Sequence, residues 1–356
     1  MTKKNMTLQQ MMEITIARNA SDLHLLVGHP PTVRIFGDLI PIPSELPLTN
    51  QDIETLLFPI LNEQQLVILK KDWELDLGFD YNAKARFRIN IYRQRGSLAA
   101  ALRVIPTSIK SLDDIRMPTS VRKLTDLRQG LVLVTGPTGH GKSTTLAAMV
   151  NEINLSRKAH IITVEDPIEF IYPVGKSMIS QRELNTDTQS FTNALKYALR
   201  EDPDVVLIGE MRDLETIAAA MTIAETGHLV LATLHTNSAA QTIDRVIDVF
   251  PESQQPQIRT QLAAVLEAVV SQRLVPTIEP GRILSLEMLF ANPAVRAIIR
   301  EAKTHMIDNL IQTSGEQGMV NMETSLAVLV REGKISLETA QQYASNVSLL
   351  NKLLGV

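Results

Sequence analysis

The spacing of hydrophobic and polar positions divides the chain into two parts. In the first hundred residues, stretches that alternate like strands stand among stretches with the period of amphipathic helices. The strand-like stretches cover residues 22–28, 32–42, 75–82, 85–94 and 97–106, and residues 50–71 are predicted to form one or two helices. This mixture predicts a small α+β domain built on an antiparallel sheet.

A different pattern begins near Gly130. Short apolar runs at residues 130–136, 160–166, 204–210, 228–235 and 282–290 alternate with helical stretches. Runs this apolar are typical of parallel strands that are buried on both faces, so this part is predicted to be an α/β domain. After about residue 292 the pattern predicts only helices.

The boundary between the two parts is predicted from a stretch with little regular period. Prolines flank this stretch, and several small polar residues lie within it. Such a stretch is typical of a connection between domains. The predicted boundaries are residues 1–106 for the N-terminal domain, 107–117 for the linker and 118–356 for the second domain.

Composition and charge exclude several classes of protein. The 356 residues include 35 basic and 39 acidic side chains, a formal net charge of -4, which gives no overall attraction to nucleic acid. No apolar run approaches the length of a membrane span, and the first residues lack the apolar core of a signal peptide, so a cytoplasmic protein is expected. The chain has no cysteine, which excludes disulfides, thiol catalysis and thiolate zinc sites.

The strongest chemical signal is VTGPTGHGKSTT, residues 134–145, which stands between an apolar run and a helix-like stretch. It satisfies the pattern G-x-x-x-x-G-K-[ST], in which backbone N–H groups and a helix N-terminus point at phosphate oxygens. Lys142 is expected to neutralise the β and γ phosphates of ATP, and the hydroxyl of Ser143 is expected to bind Mg²⁺. The residues predicted to bind the nucleotide are Gly136, Pro137, Thr138, Gly139, His140, Gly141, Lys142, Ser143 and Thr144.

Acidic residues follow two of the predicted strands. Glu210 ends an apolar run in the Walker B pattern, which brings a carboxylate to the metal or to its water. Glu165 ends another run and is predicted to be the general base that polarises the attacking water. Asp166 and Glu169 follow it, and they are interpreted either as further residues of the site or as a turn cap and a solvated side chain.

Two histidines and three arginines are further candidates for catalysis. His228 and His235 bracket one predicted strand, and each is interpreted as a γ-phosphate sensor or as a structural histidine. Seven positions apart on a strand, they are predicted to point to opposite faces and therefore cannot bind one metal ion together. At least one of Arg88, Arg95 and Arg103 is predicted to reach a phosphate in an adjacent subunit, and a solvated basic edge is the alternative.

With these motifs in order, the chain resembles the type IV pilus retraction ATPases of the secretion-ATPase superfamily over nearly its whole length. The segments that carry the resemblance are ASDLHL at 20–25, RFRIN at 86–90, GLVLVTGPTG at 130–139, EDPIEF at 165–170, GEMRDLETI at 209–217 and TGHLVLATLHT at 226–236. The family's Walker A motif and Asp box then map to residues 136–143 and 165–169. Its Walker B motif maps to Glu210, and its His box maps to His228 and His235.

The resemblance implies a PAS-like N-terminal domain on a RecA-like P-loop ATPase domain, working as a homohexamer with ATP between subunits. It implies a Mg²⁺-dependent motor that withdraws pilin through an inner-membrane pilus platform protein, with a peripheral location at that membrane. A paralogous retraction ATPase is a possible further partner, and nucleic acid is not an expected one. Pilus extension motors are disfavoured because they usually carry a four-cysteine zinc motif.

Three alternatives to a pilus retraction motor are compatible with the same motifs. The first is an accessory retraction ATPase or a secretion-system ATPase of the same superfamily. The second is a DNA-translocating RecA-like motor. The third is a nucleotide-binding structural subunit without turnover, which would share the P-loop but release no phosphate.

The chain departs from the family pattern at two places. His140 stands where the family usually has serine, and residues 294–301, AVRAIIRE, differ at three positions from the family's retraction motif AIRNLIRE. This second segment is predicted to couple hydrolysis to movement, with an apolar face at Val295, Ile298 and Ile299. The arginines Arg296 and Arg300 are expected to form an exposed stripe whose removal leaves stability unchanged.

Overall fold

The structure is a computed structural model that describes residues 6–35, 37–43, 45–81, 85–105 and 108–356. The chain divides into two compact units. One comprises Met1–Ser108 with Pro167–Ile171, and the other comprises Ile109–Asp166 with Tyr172–Val356. Pro106 and Thr107, where the predicted linker begins, lie outside the described residues, as do Asn82 and Phe36 in two predicted strand stretches.

The first unit is a six-stranded antiparallel sheet with helices, as far as the described residues go. Its strands are β1 Asp22–Leu25, β2 Thr32–Ile35, β3 Asp38–Pro41, β4 Glu74–Tyr81, β5 Ala85–Gln94 and β6 Ser97–Ile105, in the spatial order β3-β2-β1-β6-β5-β4. Its helices are α1 Leu8–Ala17, α2 Asn50–Leu57 and α3 Glu63–Asp72. The two helices α2 and α3 confirm the prediction for residues 50–71.

Strand β5 shows how this sheet buries one face. Phe87, Ile89 and Ile91 are fully buried in the core of the unit. The alternate residues Arg88 and Asn90 are partly or wholly exposed. This is the period of two that the sequence predicted for a strand with one apolar face.

The second unit contains a seven-stranded sheet in the described residues. Its strands are β7 Gly130–Thr135, β8 His160–Glu165, β9 Met178–Glu183, β10 Val205–Ile208, β11 Leu229–Leu234, β12 Leu266–Pro276 and β13 Arg282–Phe290. The spatial order is β13-β12-β7-β11-β10-β8-β9, and all neighbours are parallel except β13, which runs antiparallel to β12. The helices that precede or follow these strands are α4 Thr119–Thr125, α5 Lys142–Ser156, α6 Phe191–Ala198, α7 Leu214–Glu225, α8 Ala239–Asp248 and α9 Gln255–Val265.

The sequence pattern missed two strands of this sheet, β9 and β12. Helix α9 ends at Val265 and β12 begins at Leu266, so no turn residue separates them. The apolar run therefore continues across the boundary, and its periodicity alone cannot separate helix from strand. Strand β13 was predicted as a further strand of the parallel type, and the structure corrects its direction.

Four central strands fix the position of the functional residues. Every residue of β7, β10 and β11 is buried, as is all but the first residue of β8. Because these strands are parallel, the loops that follow them all emerge at one edge of the sheet. The predicted α/β class is confirmed, and the smaller α+β unit lies at the N-terminal end of the sequence.

Helices follow β13 to the end of the chain, as the pattern predicted. They are α10 Pro293–Arg300, α11 Ile307–Thr313, α12 Met322–Arg331, α13 Leu337–Tyr343 and α14 Val347–Leu354. Val295 and Ile299 of α10 are fully buried, and Ile298 packs against the same core. The predicted apolar face of α10 is therefore confirmed.

The predicted exposed arginine stripe on α10 is wrong for one of its two members. Arg296 donates to the carbonyl oxygens of Ala263 at 2.6 Å and Ala264 at 2.8 Å, and it pairs with Glu267 at 2.8 Å. These carbonyls belong to the last turn of α9, where no further helix N–H is available to them. Arg296 therefore holds the end of α9, whereas Arg300 is exposed.

This difference gives a paired test of stability. We expect Arg296→Ala to lower the free energy of unfolding by about 2 kcal/mol, because charge-assisted hydrogen bonds are lost and the carbonyls of α9 lose their partner. The matched change Arg300→Ala should shift it by no more than about 0.5 kcal/mol. Thermal and denaturant unfolding of both variants measures the difference, and equal stability would contradict the assignment of Arg296 to α9.

Candidate functional site

The candidate site lies at the edge of the second sheet where its parallel strands end. The P-loop follows β7, His235 follows β11, Glu210 follows β10 after one glycine, and Glu165 is the last residue of β8. These strands are neighbours in the order β7-β11-β10-β8. Residues that are nearly a hundred positions apart in the sequence are therefore placed in one row.

The glycines of the P-loop are required by its path. Gly136 has a φ of 141°, and a Cβ at this position would lie 2.3 Å from the carbonyl oxygen of Gln272 on β12. Gly141 has a φ of 85° and is the N-cap of α5. Residues with a side chain rarely adopt such positive φ angles. Glycine at these two positions therefore lets the loop wrap tightly and start a helix at Lys142. The N–H groups of that first turn lack helical partners and point toward an anion site.

Lys142 is buried at the base of the loop, with 8% of the residue exposed. Its ammonium group donates to the carbonyl oxygens of Gly136 at 2.8 Å and Pro137 at 3.1 Å, and lies 3.5 Å from Nδ1 of His235. A buried ammonium is stable only with such partners. Phosphate oxygens are stronger acceptors than carbonyl groups, so the lysine is placed to exchange one set for the other.

His235 connects the P-loop to the Walker B carboxylate. Its Nε2 lies 3.2 Å from Oε1 of Glu210, and its Nδ1 lies 3.3 Å from the hydroxyl of Thr138. An ionised carboxylate can only accept, so Nε2 carries the hydrogen and donates to Glu210. Nδ1 is then the acceptor for Thr138 and Lys142, so the histidine contacts two residues of the P-loop.

Glu210 is held in the ionised form. Burial of this carboxylate opposes ionisation, but the hydrogen bond and charge of Arg212, together with His235, outweigh burial and place the pKa of Glu210 below its ordinary value. Arg212 lies 2.9 Å from Glu210, and it also lies 3.8 Å from Asp166. The ionised carboxylate is the form that binds cations.

Glu165 is buried and fixed by neighbours on its own and the adjacent strand. Its Oε1 accepts from the hydroxyl of Thr163 at 2.7 Å and from the side-chain amide of Gln181 at 3.3 Å. Burial and the charge of Glu165 both raise the pKa of Tyr172 well above its ordinary value. Gly209 keeps the backbone close here, since a Cβ at that position would make a tight contact of 3.3 Å with Cα of Glu165. The carboxylate therefore has one preferred orientation at the sheet edge.

The structure does not bring His228 to this site. This residue precedes β11, whereas His235 follows it, so the two lie at opposite edges of the sheet, roughly 20 Å apart for a strand of this length. Nδ1 of His228 lies 3.1 Å from the carbonyl oxygen of Ile223 and 3.0 Å from the hydroxyl of Thr226, at the end of α7. The structural interpretation of His228 fits this placement, and the phosphate-sensor interpretation within its own subunit does not.

The three candidate arginines lie in the first unit. Arg88 pairs with Asp76 at 2.5 Å, and Arg103 pairs with Asp22 at 2.9 Å. Arg95 has a φ of 49° and is exposed in the two-residue turn between β5 and β6. Action of any of the three on a phosphate of an adjacent subunit stays a prediction.

Comparison with known proteins places this site in a family. The profile of the type II/IV secretion system protein family matches residues 82–342. The chain belongs to this family.

Two relatives of this secretion-family chain match it over most of their length. It is 44% identical over 341 residues to the type IV pilus retractation ATPase PilT of Pseudomonas aeruginosa, covering 95% of this chain and 98% of that protein. It is 48% identical over 319 residues to a twitching motility protein of Neisseria gonorrhoeae, covering 89% and 84%. A crystal structure of the pilus retraction motor PilT with bound ADP matches with a TM-score of 0.91 and 42% identity, over 98% of this chain and 100% of that one.

These matches settle the class of the protein. The secretion-family chain is an ATPase with a RecA-like domain and a smaller PAS-like N-terminal domain, as the sequence resemblance implied. None of the helices in the described ranges combines the length and the apolar character that crossing a membrane requires.

Sequence reasoning missed several residues of the secretion-family site. Arg212 stands two positions beyond Glu210, past the end of the strand, and Gln272 lies on a strand that was not predicted. The charge of Arg212 next to two acids was a visible signal, because a basic residue between Glu210 and Asp213 suggests local pairing. No sequence signal pointed to Gln272, whose role depends on the pairing of β12 with β7.

Proposed function

We propose that the chain is an ATP-hydrolysing motor that powers type IV pilus retraction and works as a homohexamer. The contact chain from Lys142 through His235 to Glu210 carries the hydrolytic part of this proposal. It connects the group that neutralises phosphate to the carboxylate that stands next to the metal. The names of the two relatives, a pilus retraction ATPase and a twitching motility protein, support the pilus as the load.

ATP is proposed to bind with its phosphates in the P-loop and its nucleoside in the cavity beside it. The cavity has a volume of about 610 Å³ and is bounded by Gly141, Thr144 and Thr145 on the loop side and by Leu274 and Arg282 on β12 and β13. Ligand pockets commonly have such volumes. On binding, Lys142 exchanges the loop carbonyls for phosphate oxygens, and the amides of residues 139–144 donate to the same oxygens.

The residues present fit a magnesium ion. In the described part of the chain, no group of three or more histidine and carboxylate side chains is arranged to hold a metal on its own. This suits Mg²⁺, which at nucleotide sites is bound mainly by phosphates and water, with one or two protein oxygens. Ser143 and Glu210 would supply those oxygens. When bound, Mg²⁺ would stabilise the charge that develops on the transferred phosphoryl group.

Glu165 is proposed to be the general base. Its fixed orientation lets it accept a proton from the attacking water, while Glu210 remains engaged with Arg212 and His235. His235 is proposed to report the phosphate state, because departure of the phosphate changes the partners of Lys142 and Thr138 and hence the partners of Nδ1.

The assembly extends beyond a single chain. ATP is proposed to lie between subunits of a hexamer, where Arg88, Arg95 or Arg103 of one subunit reaches the phosphates of the next. Arg95 is exposed in its turn, whereas Arg88 and Arg103 already pair with carboxylates of their own unit. An inner-membrane platform protein at the cytoplasmic face is proposed to transmit the load. A paralogous retraction ATPase is proposed as a further partner, and nucleic acid is not expected to bind.

The assignment of the two carboxylates can be separated by isosteric changes. We expect Glu165→Gln to keep ATP binding but to lower turnover by a factor of roughly 10² to 10⁴, because the amide cannot accept the water proton. Phosphate release and equilibrium ATP titration measure the two properties. The control Glu225→Gln, an exposed residue at the end of α7, should leave both unchanged. If turnover survives in Glu165→Gln and disappears in Glu210→Gln, Glu210 is the base instead.

The biological load can be tested in cells of the source organism. A strain without this chain should carry more surface pili than wild type and should not twitch, because extension continues while retraction stops. Reintroducing the wild-type chain should restore both properties, and reintroducing Glu165→Gln should restore neither. A deletion strain that loses its pili would point to an extension motor, and one with unchanged pili and motility would point to another secretion system.

A further inference from the structure

The end of β7 leaves one side of its neighbour β12 without a strand partner, while β13 continues to pair with the other side. The two strands are paired as far as Thr135 and Ser271, and β7 then turns into the P-loop while β12 continues to Pro276. The continuing part of β12 presents N–H and C=O groups on the side of the P-loop. Backbone groups in such a position need a new partner once the strand has gone.

His140 occupies this position. The N–H of Leu274 on β12 donates to Nδ1 of the His140 ring at 3.0 Å. The side-chain amide of Gln272, which is 1% exposed, donates to the carbonyl oxygen of His140 at 2.7 Å. The ring of His140 therefore takes the place of the missing strand at Leu274, and its carbonyl oxygen adds a second contact to β12 through the side chain of Gln272.

We propose that His140 is a positioning residue for the nucleotide, whose ring nitrogen Nδ1 accepts from Leu274 and thereby braces the P-loop against β12. This inference rests on the proposed ATP site and adds to it the device that keeps the loop in its binding shape. The loop contains three glycines with positive φ, so its wrapped form is costly in conformational entropy. A brace that exists before ATP arrives removes part of that cost from binding.

The brace works only with a neutral imidazole. The Nδ1 atom must be unprotonated to accept from Leu274, so the ring hydrogen is on Nε2. Burial of the ring, and then the charges of Arg282 on β13, Arg273 on β12 and Lys142 on α5, lower the pKa of His140 below its ordinary value. The braced loop therefore favours the neutral form of the ring. The stabilisation that the brace gives the loop is fully present above the ordinary pKa of histidine, about 6.5. It is lost progressively as the pH falls below that value, because protonation removes the acceptor.

Two amide substitutions separate the acceptor from the rest of the side chain. In asparagine, Oδ1 is bonded to Cγ just as Nδ1 of histidine is, so His140→Asn can still accept from Leu274. In glutamine the acceptor lies one bond further along, so His140→Gln keeps a polar side chain but displaces the acceptor. His140→Ala removes it altogether.

The primary experiment is ATP and ADP titration of the wild type and these three variants at pH 8, with steady-state turnover. We expect His140→Asn to bind within about threefold of wild type, and His140→Gln and His140→Ala to bind roughly 5- to 30-fold more weakly, as for a partly buried N–H that loses its partner. Turnover at saturating ATP should change by less than about twofold, so that the effect lies in KM. Equal affinities of the Asn and Gln variants, whether high or low, would overturn the proposal.

The pH dependence supplies a second readout that a purely structural residue would not change. The ratio of the wild-type Kd to the His140→Asn Kd cancels protonation of ATP itself. It should be constant above pH 7 and rise as the pH falls below about 6.5 toward the lowered pKa of His140, because histidine takes up a proton over that range and asparagine cannot. A ratio that stays flat from pH 8 to pH 5.5 would overturn the proposal.

Failure of this proposal can be told apart from failure of the proposed ATP site. If wild type binds no ATP, or if Lys142→Met binds as tightly as wild type, the site itself is misassigned. If wild type binds and Lys142→Met does not, the site stands, and the ranking of the three His140 variants then decides the brace. Melting temperatures of all variants identify any loss of fold.

Discussion

The buried ammonium group of Lys142 is the constraint on which the rest of the site depends. A charge with so little exposure must keep hydrogen-bond partners in every state of the protein. In this structure the partners are two carbonyl oxygens of the P-loop, with the imidazole of His235 beside them. Any anion that enters the loop competes for the same donor. In the proposed mechanism, this competition also changes the contacts of His235.

The parallel sheet places the loops of three further strands next to the P-loop and Lys142. The loops after β7, β11, β10 and β8 lie side by side. Side-chain contacts therefore run from Lys142 to His235 and on to Glu210, and Arg212 connects Glu210 to Asp166. Each contact contributes little to the free energy of folding, since several of these side chains are partly exposed. Their alignment places these side chains in one continuous row of contacts. On the other side of β7, His140 and Gln272 connect the loop to β12 and so to the β12–β13 hairpin.

Much of this arrangement could be predicted from the sequence, because its signals are local. The glycine pattern around Lys142, the apolar runs of the central strands and the alternation along β5 each determine structure within about ten residues. The failures have a common cause, which is that tertiary contacts decided the outcome. Strand β12 follows α9 without a break in hydrophobicity, and the partly buried Arg296 donates to carbonyl oxygens at the end of α9. None of these contacts has a counterpart in the neighbouring sequence.

The most direct test of the account is phosphate release from ATP by the purified protein with magnesium, compared with Lys142→Met. Methionine keeps most of the aliphatic volume of lysine but cannot donate to phosphate, so the fold should persist while the transition state loses its main cation. We expect steady release by the wild type and no release above background by the variant, with similar melting temperatures. Equal release by the two proteins would contradict the central role of Lys142, and with it the contact chain through His235 to Glu210.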